Sequence, residues 1–135
     1  MEKIKVIALA TFHNRKDKTI RALHSLHLQK KINNVELEFC LVDDGSTDNT
    51  SDEIRKNFTD IKLLNGDGSL YWARGMLFGW NNYVKQQEYD YLLVFNDDII
   101  AFPIALHSLI KSAVELKNQS IDCFAISGGL KDPNT

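Results

Sequence analysis

"ELEFCLVDDGSTDNT", residues 36–50, contains a strand, a turn and a helix start in one short run. Residues 36–42 are mostly apolar and too few for a helix, so they read as a buried strand. "DDGSTDNT" (43–50) is rich in the residues that turns favour. Thr50 can cap a helix there, with Glu53 three residues on as in a capping box. Outward from this unit the same alternation recurs. "IKVIALA" (4–10) reads as a first strand and residues 17–30 as a helix, with Ile20, Leu23, Leu26 and His27 on one side. "IKLLN" (61–65) reads as a third strand. Residues 72–87 read as a helix weakened by Gly75 and Gly79, and "DYLLVF" (90–95) as a fourth strand. Pro103 suits the first turn of a helix running to about Lys117, and "DCFAIS" (122–127) reads as a fifth strand. The pattern predicts an α/β fold: a mostly parallel, Rossmann-like sheet with helices on both faces.

The chain has 135 residues, one domain by the usual size prior. Hydrophobic residues make up 44%, charged residues 25%, and the net charge is −2. Without a basic excess, a nucleic-acid partner is not expected. Cys40 and Cys123 both sit in apolar runs and read as small buried hydrophobes, which fits a reducing, cytoplasmic setting. No run approaches the roughly 18 apolar residues of a bilayer span. The opening "MEKIKVIALATF" lacks a small-residue cleavage site and reads as a strand, not a signal peptide.

In parallel sheets, ligands bind beyond the carboxyl ends of the strands. "TFHNR", "DDGS", "NGDGSLYWARG" and "NDD" each follow a strand, so all four should gather on one rim. Asp43 and Asp44 suit a solvated turn, or alternatively an acceptor for the imide N–H of a pyrimidine base. Asp97 and Asp98 are harder to explain as a turn. Adjacent carboxylates repel, and a hard divalent cation shared with substrate phosphates would relieve that. Arg74 could offer a fork to phosphate, or be a surface residue at a helix start. Tyr71 and Trp72 could stack on a base or sugar, or belong to the core. The four histidines show no ligand spacing, and no nucleophile elbow is present.

The ordered blocks "VIALATFHNR", "LVDDGSTDNT", "GDGSLYWARGMLFG" and "LLVFNDDI" closely resemble the inverting glycosyltransferases of family 2, which have the GT-A fold. The glycine-rich block looks most like the rhamnosyltransferase-like members, although Arg74 interrupts their glycine pair. The resemblance implies a sugar transferred from a UDP- or dTDP-linked donor to a glycan or lipid-linked acceptor. It implies that Thr11, Asp43, Asp44, Arg74 and Asp97 bind the donor nucleotide. It also implies that Asp98 holds Mn²⁺ or Mg²⁺, with Asn96 standing where the family usually has an Asp. The metal would neutralise charge growing on the diphosphate leaving group.

Members normally carry a further segment after the "SGG" strand, bearing the acceptor pocket and the catalytic base. Residues 1–135 are therefore expected to be a single nucleotide-sugar-binding domain, truncated before the acceptor-binding segment, with the general base beyond residue 135. Such a half should bind nucleotide weakly and transfer no sugar alone. Self-association through surface that the missing half would cover is also expected. The full-length protein would work in the cytoplasm, at the inner face of the membrane. The alternative is a non-catalytic nucleotide-binding or signalling α/β module. A phosphoacceptor receiver needs acids directly after strand one, where this chain has "TFHNR". A nucleotidyltransferase wants a basic glycine-rich loop there, and a dinucleotide oxidoreductase wants the glycine fingerprint.

Overall fold

The computed structural model describes residues 2–132 and Asn134. Four parallel strands form its sheet: β1 (Ile4–Phe12), β2 (Val35–Asp43), β3 (Ile61–Asn65) and β4 (Tyr91–Val94). Their order is β3-β2-β1-β4. The chain steps outward from β1 to β2 to β3, then crosses back to lay β4 on the other side of β1. The strand order thus reverses between β1 and β4, where open sheets leave a crevice at their carboxyl ends.

The helices are α1 (Lys16–His27), α2 (Thr50–Asn57), α3 (Tyr71–Asn82) and α4 (Ala105–Asn118). The period-two alternation of the strands sorts the core into two layers. Val6, Ala8, Ala10 and Phe12 of β1 join Leu37, Phe39 and Leu41 of β2 on one face, under Leu23 and Leu26 of α1, Ile54 of α2 and Leu106 of α4. Ile7 and Leu9 join Cys40 on the other face, under Met76 of α3. Both faces of β1 are covered, so its apolar run is continuous instead of alternating.

Gly75 and Gly79 let α3 approach the sheet. A Cβ on Gly75 would stand 2.5 Å from Thr11 Oγ1, and one on Gly79 would stand 2.6 Å from Leu9 Cδ1. Helix propensity lost at these two positions is exchanged for close packing.

Several sequence expectations need correction. Residues 122–127 form no strand. Phe124 instead packs by its ring 6.3 Å from Tyr91 of β4, and an apolar run alone does not distinguish a ladder from such side-chain packing. Cys123 is consequently exposed, whereas Cys40 is buried and its thiol is pushed up to about 12 by that burial, too high for a thiolate nucleophile. The helix expected over 72–87 stops at Asn82 and continues only as a 3₁₀ turn, Val84–Gln86. The helix expected from Pro103 starts at Ala105. The capping box does not form either. Asp48 Oδ1 accepts from Thr50 N at 3.1 Å, while Glu53 turns to Asn57 Nδ2 at 3.0 Å.

Candidate functional site

Four turns leave the carboxyl ends of the strands and are tied to one another. The Asp44 N–H donates to Phe12 O at 2.9 Å, joining the ends of β1 and β2, and Gly66 N–H donates to Asp43 O at 2.7 Å, joining β2 to the turn after β3. Trp72 Nε1 donates to Asn96 Oδ1 at 3.1 Å, tying the start of α3 to the turn after β4. Arg15 reaches from the turn after β1 to Asp97 and Asp98. The four polar blocks therefore share one rim.

On the β2 side the two acids are buried and fully engaged. Asp43 accepts from Ser46 N at 2.8 Å and from the Ser51 hydroxyl. Asp44, 4% exposed, accepts from Gly68 N at 2.8 Å, from Leu70 N at 3.0 and 3.2 Å, and from Tyr71 N at 2.9 Å. The amides of residues 68, 70 and 71 can converge on one carboxylate because Gly68 and Tyr71 both take positive φ, 89° and 55°. Glycine reaches that region freely, whereas a tyrosine there is strained, a cost that persists only where the surroundings enforce it. The result holds Tyr71 outward, 77% exposed, beside Trp72 at 53%. Both aromatics face solvent at the rim and not the core.

The β1 turn is stitched to the β2 turn. His13 Nδ1 donates to Asp44 O at 2.6 Å, which makes Nε2 the acceptor for Asn14 Nδ2 at 3.2 Å. Asn14 Oδ1 in turn accepts from Thr47 N at 2.7 Å. Thr11 is buried, donates to Val42 O at 3.2 Å, and lies under Gly75. Arg74 is exposed and its guanidinium folds back onto Ser69 O, bracing the β3–α3 turn.

On the β4 side, Asp97 is buried and Asp98 half-exposed. Arg15 Nη1 lies 3.1 Å from Asp97 Oδ1, and its Nη2 lies 2.9 Å from Asp98 Oδ2. Thr19 Oγ1 donates to Asp97 Oδ2 at 3.4 Å. Burial pushes the Asp97 carboxyl above its ordinary value of 3.8, the Arg15 charge pulls it down, and the Asp98 charge pushes it up again. Downstream, Ala101 N donates to Ser25 Oγ at 2.9 Å, while Gln29 Nε2 donates to Phe102 O at 2.9 Å and its Oε1 accepts from Leu106 N at 3.2 Å. Ser25 of α1 and Gln29, in the 3₁₀ turn that follows it, thus anchor the β4–α4 connection at Ala101, Phe102 and Leu106.

Sequence reasoning overlooked Arg15 and Thr19. The signal was present: a cation after strand one shares a rim with a repelling acid pair after strand four. Among the described residues no three His, Cys, Asp or Glu side chains cluster as a ready metal cage. Mg²⁺ and Mn²⁺ need only one or two carboxylates when waters and substrate phosphates complete the sphere. The hard oxygen pair Asp97–Asp98, already bridged by one cation, fits that requirement.

Comparison with known proteins gives a family and a fold. The family model described as "Glycosyl transferase family 2" matches residues 8–133. Among solved structures, TarS 1-349 of S. aureus superposes with a TM-score of 0.63 at 21% identity, covering 87% of this chain and 33% of its own. The same protein in complex with UDP-GlcNAc gives 0.61 at 22% identity, covering 87% and 32%. The mannosyltransferase PcManGT from Pyrobaculum calidifontis, in complex with GDP-Man and Mn²⁺, gives 0.61 at 17% identity, covering 82% and 32%. The chain spans about a third of these structures. No curated protein matches it.

Proposed function

Since the chain belongs to glycosyl transferase family 2, we propose that its rim binds the nucleotide-sugar donor of an inverting, metal-dependent sugar transfer. The observation that carries this is the acid pair Asp97–Asp98 at the reversal point of the sheet, on the same rim as the Asp44-anchored turn. Asp98, the more exposed acid, holds Mn²⁺ or Mg²⁺ with Asp97 behind it. When bound, that ion neutralises charge developing on the diphosphate leaving group.

The remaining roles belong to the chain's own groups. Asp44 acts on the donor through the turn it shapes. A base imide N–H reaching that carboxylate would share lone pairs with the three amides already there. Asp43 fixes the neighbouring turn, and Thr11 fixes the seat of α3. Tyr71 and Trp72 offer faces for a base or sugar, since exposed amphipathic rings suit such stacking. Arg74 is near enough to the rim to meet phosphate once it leaves Ser69. The acceptor is a glycan or a lipid-linked sugar, the sugar-transfer base lies outside residues 1–135, and the site of action is cytoplasmic. Among the described residues no helix is long and apolar enough to cross a membrane.

Calorimetric titration with UDP, dTDP and GDP, each with and without Mn²⁺, tests the reading. Metal-enhanced binding of one of them, reduced at least tenfold in Asp98→Ala, is the expected outcome. A folded chain that binds none of them would overturn it.

A further inference from the structure

Arg15 touches both members of the acid pair, one nitrogen to each carboxylate, at 3.1 and 2.9 Å. A guanidinium normally forks onto one carboxylate; here it bridges two, which is the place of a shared cation. Its backbone sits at the start of α1, where its carbonyl accepts from Thr19 N at 2.9 Å. Arg15 and Thr19, one helical turn apart, therefore both address Asp97. The Arg15 side chain is 41% exposed and its stem is long, so the head can swing into solvent without disturbing the core.

A divalent ion on the same oxygens competes with the guanidinium for them. Each oxygen that accepts from Arg15 has committed a lone pair, and two cations within a few ångströms repel strongly at a partly buried site. We propose that Arg15 is the resident counter-cation of Asp97 and Asp98, which a divalent ion must displace, and that the released guanidinium then meets the diphosphate that arrives with the ion. This rests on the donor-site reading above. It makes Arg15 a positioning residue with two effects: it weakens binding of the metal alone, and it couples metal binding to nucleotide binding. A nucleoside diphosphate supplies the anion that draws Arg15 away, so each ligand lowers the cost of admitting the other.

The test is titration of Mn²⁺ alone, followed by the paramagnetic resonance signal of the free ion, into the wild-type chain, Arg15→Gln and Arg15→Lys. The series is repeated with UDP, dTDP or GDP, whichever binds the wild type most tightly. Without nucleotide, Arg15→Gln is expected to bind Mn²⁺ roughly three- to tenfold more tightly, the scale of a half-exposed, doubly bonded ion pair. The gain in Mn²⁺ affinity on adding nucleotide should shrink in the variant. Arg15→Lys, a point charge that cannot span two carboxylates, should fall between, and it carries the comparison if Arg15→Gln does not fold by circular dichroism. Equal or weaker Mn²⁺ binding in the folded variants overturns the proposal. So does absence of Mn²⁺ binding in every chain. In the first case retained nucleotide binding leaves the donor-site reading standing; in the second it leaves the nucleotide site but removes the metal from it, and loss of nucleotide binding removes the reading altogether.

Discussion

A carboxylate that accepts from three backbone amides is a structural support. Asp44 lies under Gly68, Leu70 and Tyr71 and imposes positive φ on a tyrosine. In Asp44→Asn one oxygen becomes an amide donor that must face an N–H. The expected result is a loss of about 2 kcal/mol in urea unfolding, with faster amide exchange at residues 68–71, because the strained turn has lost its anchor. A variant with unchanged midpoint and unchanged exchange would mean that the turn stands without Asp44. Asp48 offers a pH test. Burial pushes its carboxyl up, but the Thr50 hydroxyl and the Lys16 and Thr50 amides outweigh that and bring it below 3.8. A group lowered in the folded state contributes stability above its unfolded value and loses it as pH falls through the folded one. Stability should therefore decline as pH drops below about 4, and Asp48→Asn should flatten that limb in denaturation measured across pH. An unchanged slope would assign the acid limb to other carboxyls. At this scale the sequence was partly legible: the acids stood out because adjacent like charges demand a reason. What each acid touches was not legible, since Arg15 and Asp97 are 82 positions apart.

At the scale of elements, α3 is the most constrained piece. It enters through a turn braced by Asp44 and lies on β1 and β2 where Gly75 and Gly79 leave no room for a methyl group. Gly75→Ala improves helix propensity locally but drives a Cβ into Thr11. The expected outcome is a net loss of about 1 to 3 kcal/mol by thermal or urea unfolding. Because α3 must shift outward at its first turn, the Trp72–Asn96 hydrogen bond should also loosen, read as altered tryptophan fluorescence. A variant as stable as the parent would show that α3 can slide. From the sequence these glycines looked like weak points of the helix, since propensity speaks only of the isolated chain. Their value lies in an approach distance that exists only once the sheet is built. The run at 122–127 failed for the converse reason. Its apolar residues are real, but ladder hydrogen bonds depend on what the neighbouring edge offers, and composition does not report that. The strands that were read correctly, β1 to β4, are those whose burial on one or both faces leaves a direct imprint on residue choice.

At the scale of the whole molecule, the alternation of strand and helix disclosed the parallel sheet, while the strand order had to come from the structure. That order has a kinetic consequence. β2 can zip onto β1, and β3 onto β2, with intervening segments of ordinary length, but β4 must return to β1 across most of the chain. The bond from Lys5 N to Asp90 Oδ2 spans 85 positions. Closing so long a loop is slow to be rewarded, and parallel pairing of that kind tends to form late. In refolding followed by pulsed hydrogen exchange, amides of β2 and α1 should be protected before those of β4. Simultaneous or earlier protection of β4 would contradict this. If β4 is last, a half-folded chain already owns its Asp44 turn yet has no acid pair to offer. On the proposed donor-site reading, cation capture would then report arrival at the native state, and a nascent chain could not engage donor before β4 has docked.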